Sequence, residues 1–165
     1  MRSRSVIFFF LFFLFGCSSQ SENTNDSSGP YGYELVSDVM VSMRDGVKLA
    51  TDLYFPTENG KRLSGKLPAI MVRTPYSKSR GFPPSVSAVY FASHGYVAMY
   101  QDTRGRYNSE GIWHMLDDDG VDGYDAAEWL VEQPWSNGKF GMYGTSYVGG
   151  TQHAVALENS PGLTT

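Results

Sequence analysis

Apolar and polar positions alternate along the chain between residues 39 and 55. Alternate residues are apolar from Val39 to Met43 and again, apart from Thr51, from Val47 to Phe55, and the turn sequence Arg44-Asp45-Gly46 separates the two stretches. This pattern predicts a β-hairpin with one buried face. Residues 56–66 are mostly polar and contain two glycines, which predicts a loop.

Short apolar runs alternate with stretches of helical spacing in the rest of the chain. The predicted strands are Leu67–Val72, Tyr96–Tyr100 and Lys139–Tyr143. The predicted helices span 86–94, begin at Asp122 or Asp125, and span Val148–Leu157. The order β-β-β-α-β-α-β-α predicts an α/β fold, because continuously apolar strands that alternate with helices form a parallel sheet covered on both faces. The hairpin would supply antiparallel edge strands.

The first sixteen residues have the pattern of an export signal. Arg2 and Arg4 precede an apolar run from Val6 to Phe15. As a helix, ten residues rise only about 15 Å, half of the hydrocarbon core of a bilayer, so the run is too short to span a membrane. We predict a signal peptide over 1–16, a flexible tether over 17–34 that is rich in Ser, Asn and Gly, and a folded domain over 35–165.

The only cysteine, Cys17, follows the apolar run after the single residue Gly16. The sequence Leu14-Phe15-Gly16-Cys17 resembles a bacterial lipobox, in which the cysteine is lipidated and becomes the mature N-terminus. This resemblance implies an exported protein that a lipid anchor holds on a bacterial membrane. Because Ser18 and not Asp follows, the outer membrane is expected in a host with two membranes. Ordinary secretion with an unused thiol is the alternative.

Composition excludes several classes of function. The chain has 165 residues, 41% of them hydrophobic, which fits one folded domain. The formal charge is −4 and no block of Lys or Arg exists, so we predict no nucleic-acid partner. A single Cys excludes an internal disulfide and a Cys/His zinc framework. We predict neither a metal nor another cofactor.

Five aspartates lie close together in the second half of the chain. They are Asp117, Asp118, Asp119, Asp122 and Asp125. Their spacing does not match the calcium loop of an EF-hand, which also requires a Glu at its twelfth position. We therefore predict a solvated acidic loop that leads into a helix, where the helix dipole favours negative charge.

The sequence Gly144-Thr145-Ser146-Tyr147-Val148-Gly149 follows a predicted strand and opens a predicted helix. This context is that of a nucleophile elbow, in which a sharp turn presents a serine Oγ. The turn needs small flanking residues, here Gly144 and Gly149, and it aims the backbone N–H of Tyr147 at the developing oxyanion. The general pattern is G-x-S-x-G, whereas position 148 is Val. A glycine-rich turn with an ordinary helix-capping serine is therefore the alternative.

Five short motifs occur in an order that resembles one family of hydrolases. They are Arg73-Thr74-Pro75-Tyr76, Gln101-Asp102-Thr103-Arg104-Gly105-Arg106, Ser109-Glu110-Gly111, Gln133-Pro134-Trp135 and the segment from Gly141 to Gly149. Together they resemble the X-Pro dipeptidyl-peptidase and cocaine-esterase family of α/β-hydrolases, whose elbow reads G-x-S-Y-x-G. The resemblance covers about residues 36–157.

The resemblance implies roles for individual residues. Ser146 corresponds to the acylated nucleophile, the Tyr147 N–H to one oxyanion donor and the Tyr76 phenol to the second. A half-buried aromatic without a catalytic role is the alternative for Tyr76. Asp102 and Arg104 match a loop motif, which we interpret as a structural ion pair or loop brace. The implied substrate is a small-molecule ester, amide or peptide, and the sequence does not separate peptidase, esterase and acylase.

The base that a serine nucleophile needs is not evident in the sequence. Hydrolases of this type have the order Ser, Asp or Glu, His, but only Glu158 and His153 follow Ser146. His153 is two helical turns from Ser146, and another strand is expected to begin near Leu163. We predict an N-terminal fragment of a longer serine hydrolase that is inactive alone. A non-catalytic surface lipoprotein or binding module with a partial hydrolase fold, or an unstable fragment without activity, is the alternative.

Overall fold

The computed structural model describes residues 29–79 and 85–164. Within these ranges the chain forms one six-stranded sheet and three helices. In chain order they are β1 (Gly32–Ser42), β2 (Lys48–Glu58), β3 (Lys61–Arg62), β4 (Leu67–Thr74), α1 (Val86–Ser93), β5 (Val97–Asp102), α2 (Asp119–Glu132), β6 (Ser136–Met142) and α3 (Tyr147–Leu157). The predicted signal peptide, Cys17 and most of the predicted tether lie outside the described residues.

The strand order is β1-β2-β5-β4-β6, with the short β3 paired to β2. Strands β5, β4 and β6 are parallel to one another, while β1 and β2 form an antiparallel hairpin that joins β5. The α/β-hydrolase fold predicted from the sequence is confirmed: a sheet whose later strands are parallel, with the hairpin supplying antiparallel strands at one side. Parallel strands bring their carboxyl ends to one edge of the sheet, which is where sites form in such folds.

Successive residues of the inner strands face opposite layers of the molecule. On one face, Met71 and Met99 pack in a core with residues of α2 and α3 that include Leu130 and Val155. On the other face, Tyr54, Val72 and Tyr100 pack with Ala88, Val89 and Ala92 of α1. The predicted arrangement with helices on both faces therefore follows directly from the two-residue period of the strands.

The hairpin is longer than its pattern of alternation indicates. β1 begins at Gly32, inside the predicted tether, and a bulge lies between Val36 and Val39. The predicted loop over 56–66 is wrong in part, because β2 continues to Glu58 and β3 pairs with it. Polar residues interrupt the alternation of apolar and polar positions here, but their backbone groups still pair in the sheet.

The starts of α2 and β6 also differ from the predicted ones. α2 begins at Asp119 with Asp118 as its N-cap, so the predicted start at Asp122 or Asp125 is wrong. Gly138 does not precede β6 but lies inside it with a φ of 80°, where the register with β4 shifts. A bulge thus replaces the predicted turn.

β6 is the last strand of the described sheet in the order given above. On its outer side a single parallel bridge joins Phe140 to Leu163, supported by 2.9 Å hydrogen bonds from Phe140 N to Gly162 O and from Thr164 N to Phe140 O. The extended segment expected near Leu163 is therefore present beside β6. Among the helices of the described residues, none combines the length and the apolar character that crossing a bilayer requires.

Candidate active site

The junction between β6 and α3 forces Ser146 into an unusual backbone conformation. β6 ends at Met142, α3 begins at Tyr147, and Ser146 caps the helix with φ 59° and ψ −130°. Few non-glycine residues adopt a positive φ, and such strain concentrates at functional sites. A strained serine between a parallel strand and a helix has the geometry of a nucleophile elbow.

The two glycines of the elbow are not equivalent. Gly144 has a φ of 132°, and a Cβ there would collide with the side chain of Val148, so the turn requires glycine at this position. A Cβ on Gly149 would meet only the carbonyl oxygen of Gly144 at 3.8 Å, which is an ordinary contact. The expected need for a small residue is therefore strict at 144 and looser at 149.

Ser146 is exposed at the N-terminus of α3. Within the part of the chain that the structure describes, no group hydrogen bonds to its Oγ. The first helical N–H groups, that of Tyr147 included, have no acceptor inside the helix. These N–H groups and the helix dipole favour negative charge beside Ser146.

The side chain of Tyr147 holds the elbow in place through the hydrogen bonds of its hydroxyl. Its hydroxyl donates to Asp119 Oδ2 at 2.7 Å and accepts from Leu116 N at 3.0 Å and Trp113 Nε1 at 3.3 Å. Burial raises the pKa of the Tyr147 phenol, and the hydrogen bond to Asp119 adds to this. The residue after Ser146 is thus fixed to α2 and to the loop that precedes α2.

Tyr76 follows β4, the strand next to β6, and so reaches the same edge of the sheet as Ser146. Its ring lies edge-on to that of Tyr147, with a centroid distance of 6.1 Å and an interplanar angle of 74°. The side chain is 40% exposed. The structure therefore brings together Ser146, Tyr147 and Tyr76, the three residues to which the resemblance assigns the chemistry.

None of the three histidines of the chain is bonded to Ser146. His94 caps the C-terminus of α1, at the opposite edge of the sheet, where its Nδ1 lies 2.7 Å from Tyr90 O. His114 is exposed and its Nδ1 lies 3.6 Å from Asp118 Oδ2. His153 is on α3 with its Nδ1 2.9 Å from Gly149 O. Each imidazole is therefore engaged away from the Oγ that it would have to deprotonate.

Three of the five aspartates are buried, so the predicted solvated acidic loop is wrong for them. Asp119, Asp122 and Asp125 lie at intervals of three residues on α2 and are each less than 10% exposed. Each faces an arginine from a different segment: Arg73, Arg104 and Arg44, respectively. The aspartates thus fasten α2 to β4, to the turn between β1 and β2 and to the loop after β5. The described residues contain no cluster of three or more potential metal ligands.

The predicted pair of Asp102 and Arg104 is replaced by two separate contacts. Arg104 binds both carboxylate oxygens of Asp122, at 2.6 and 3.0 Å, and also Asp45 at 2.7 Å. Asp102 instead accepts a 2.7 Å hydrogen bond from Lys78 N. The predicted ion pair between Asp102 and Arg104 is therefore wrong. The other interpretation, that these residues brace loops, describes the contacts of both.

Comparisons with known proteins agree with this architecture. The model of the X-Pro dipeptidyl-peptidase (S15) family matches residues 45–165. Cocaine esterase of Rhodococcus sp. (strain MB1 Bresler) is 42% identical over 134 residues, which are 79% of this chain and 22% of that protein. Relatives of this family are hydrolases.

Solved structures show the same likeness. An aminopeptidase from a marine sediment Thaumarchaeota archaeon is 32% identical with a TM-score of 0.68, covering 82% of this chain and 25% of that one. An α-amino acid ester hydrolase is 31% identical with a TM-score of 0.68, covering 90% and 28%. The chain thus spans about a quarter of the length of these relatives. Its fold, its elbow and the family match over residues 45–165 place the chain in the X-Pro dipeptidyl-peptidase (S15) family of α/β-hydrolases.

Proposed function

We propose that the protein is a serine hydrolase that cleaves ester or amide bonds through an acyl-enzyme. The observation that carries this proposal is the strained, exposed Ser146 at the strand–helix junction, with Tyr147 and Tyr76 beside it. Tyr147 supplies a backbone N–H and Tyr76 a phenolic O–H, which are the donors that an oxyanion needs.

The reaction has two halves. Ser146 Oγ attacks the carbonyl carbon, its proton passes to an imidazole, and the carbonyl oxygen becomes an oxyanion bound by the two donors. The intermediate expels the alcohol or amine, which takes the proton from the imidazole. Water then attacks the acyl-enzyme by the same route, which releases the acid and restores the hydroxyl of Ser146.

We propose that the imidazole and its carboxylate partner come from parts of the complete protein other than the described residues. His94, His114 and His153 are engaged elsewhere, and the chain corresponds to about a quarter of its relatives. The relatives named above comprise an esterase, an aminopeptidase and an amino-acid ester hydrolase. The substrate is accordingly a small ester, amide or peptide.

A fluorophosphonate probe tests the proposal, because it phosphonylates only an activated serine. In the complete protein we expect one labelled peptide, which contains Ser146 and is identified by mass spectrometry. Residues 18–165 expressed alone should remain unlabelled, since an unassisted hydroxyl is a weak nucleophile at neutral pH. A complete, folded protein that the probe does not label would favour a non-catalytic binding module instead.

Replacing Tyr76 by Phe should lower kcat in the complete protein. The change removes one oxyanion donor and little volume, and loss of one such donor typically costs about 10²–10³ in kcat. Steady-state kinetics with a p-nitrophenyl ester should show a nearly unchanged KM. A change in KM alone would mean that Tyr76 contacts the substrate without stabilising the oxyanion.

We also propose that Cys17 carries a lipid that anchors the exported protein on a bacterial membrane. The support is the position of the only thiol, which follows the apolar run of residues 6–15 after the single residue Gly16. Cys17→Ser should therefore move the protein from the membrane fraction to the soluble fraction, as measured by immunoblotting after ultracentrifugation. Unchanged pelleting of the variant would indicate that the apolar segment stays attached and acts as the anchor.

A further inference from the structure

A buried lysine lies two residues after Tyr76, and neither the fold nor the proposed reaction explains it. We propose that Lys78 is a positioning residue for Tyr76: its ammonium group, held between Asp38 and Asp52, fixes the loop of residues 75–79 so that the Tyr76 phenol meets the oxyanion. The proposal rests on the oxyanion role proposed above for Tyr76.

The side chain of Lys78 is almost fully buried, and two carboxylates bind its ammonium group. Lys78 is 4% exposed, and its Nζ lies 2.8 Å from Asp38 Oδ1 and 3.0 Å from Asp52 Oδ1. Burial alone would lower the pKa of Lys78, but the hydrogen bonds to the two aspartates outweigh this and raise it, so the side chain is charged. Lysine is almost never buried unless it is paired in this way.

The backbone of the loop is held on both sides of Tyr76. After it, Lys78 N donates to Asp102 Oδ1 at 2.7 Å, and Ser79 Oγ lies 3.3 Å from Asp52 Oδ2. Before it, Arg106 Nε donates to Pro75 O at 2.9 Å. Burial raises the pKa of Asp102, whose Oδ1 accepts this hydrogen bond from Lys78 N.

Two strained residues belong to the same cluster. Asp38 lies in the β1 bulge with a φ of 54°, and its N–H donates to Asp52 Oδ1 at 3.0 Å while its carboxylate binds Lys78. Ser77, between the exposed Tyr76 and the buried Lys78, has a φ of 79°. Such conformations are unfavourable and persist only where the surroundings hold them in place. The bulge in β1 and the left-handed turn at Ser77 thus both belong to the cluster that holds Lys78.

A buried ion pair of this kind contributes little to stability relative to well-packed apolar side chains, because desolvation of the charges offsets their attraction. The buried ion pair of Lys78 instead determines the geometry of the loop of residues 75–79. Tyr76 belongs to this loop, and its side chain is half exposed. The position of its hydroxyl therefore depends on the loop backbone, which Lys78 holds in place. A displacement of about 1 Å in a catalytic group can cost about 10² in rate.

A double-mutant cycle in the complete protein tests the proposal. Lys78→Met shortens the unbranched side chain by only one atom and removes the charge, and we expect it to lower kcat about 10- to 100-fold with a nearly unchanged KM. In the Tyr76→Phe background the same change should alter kcat by no more than about twofold, because the donor that Lys78 positions is already gone. Equal losses in both backgrounds would overturn the proposal and would leave the role of Ser146 untouched.

Two further variants keep the result interpretable. Arg62→Met removes an exposed ion pair between β3 and Glu34 of β1, and kcat should stay at the wild-type value. If Lys78→Met does not fold, Asp38→Asn replaces it in the cycle, since Asp38 is the half-exposed partner. A full kcat in Tyr76→Phe would remove the basis of the proposal, whereas labelling at Ser146 by the fluorophosphonate would still support the serine hydrolase.

Discussion

Ser146→Ala should abolish turnover of p-nitrophenyl esters by the complete protein while leaving its fold intact. Ser146 is exposed and its hydroxyl is not bonded to any other group of the described residues, so removal of the hydroxyl leaves no buried polar group without a partner. Loss of a nucleophile that acts together with a base lowers kcat on the order of 10⁴–10⁶-fold. Stopped-flow release of p-nitrophenol should also lose its burst, because no acyl-enzyme forms.

Thr145→Ala provides the matched control for this variant. Thr145 precedes Ser146 in the same turn and is also exposed, but no step of the reaction uses its hydroxyl. We expect nearly wild-type kcat for this control and unchanged circular dichroism spectra for both variants. Wild-type activity in Ser146→Ala would refute the assignment of the nucleophile.

Local sequence was sufficient to predict the elbow and the elements around it. An apolar run followed by Gly144 and then by helical spacing describes a strand, a sharp turn and a helix without any knowledge of distant contacts. The structure adds the physical reason for glycine at 144, since a Cβ there would strike Val148. The strand pattern places Tyr76 in the loop after Leu67–Val72, the resemblance implies its oxyanion role, and the parallel order of β4 and β6 explains why it lies beside Tyr147.

Contacts between distant residues account for what the sequence did not reveal. A run of aspartates normally predicts a solvated surface, and only the fold shows that arginines at 44, 73 and 104 meet three of them. The start of α2 was misplaced because Gly120 and Gly123 weaken the local helical signal. Gly123 lies where Arg73 and Val155 pack against the helix, which requires the smallest side chain.

The most buried of the arginines gives the largest expected effect on stability. Arg73 is fully buried at the end of β4, where its Nε donates to Gln101 Oε1 at 2.9 Å and its Nη1 donates to the Asp119 carbonyl at 2.5 Å. Nη1 also lies 3.4 Å from Asp119 Oδ1, and Nη2 lies 3.9 Å from Asp122 Oδ2. Burial lowers the pKa of Arg73, and the two carboxylates oppose this.

Arg73→Met should reduce the free energy of unfolding by about 3–5 kcal/mol, the usual consequence of removing one partner of a buried ion pair. Asp119 would remain buried with only the Tyr147 hydroxyl as its side-chain partner, and the Asp119 carbonyl would lose the guanidinium donor. Such a loss is a large part of the 5–15 kcal/mol typical of a domain. Urea unfolding of the complete protein should show a lower midpoint with an unchanged slope.

Arg44→Met serves as the comparison, because Arg44 binds Asp125 on the same face of α2 but is 57% exposed. Because the guanidinium of Arg44 is largely solvated and that of Arg73 is fully buried, the loss of stability should be clearly smaller than that for Arg73→Met. The decisive result is which of the two variants loses more of the free energy of unfolding. Equal losses would mean that burial of Arg73 does not secure α2, and the attachment of Asp119 and Tyr147 beneath Ser146 would then depend on the packing of Leu130 and Val155 against the sheet.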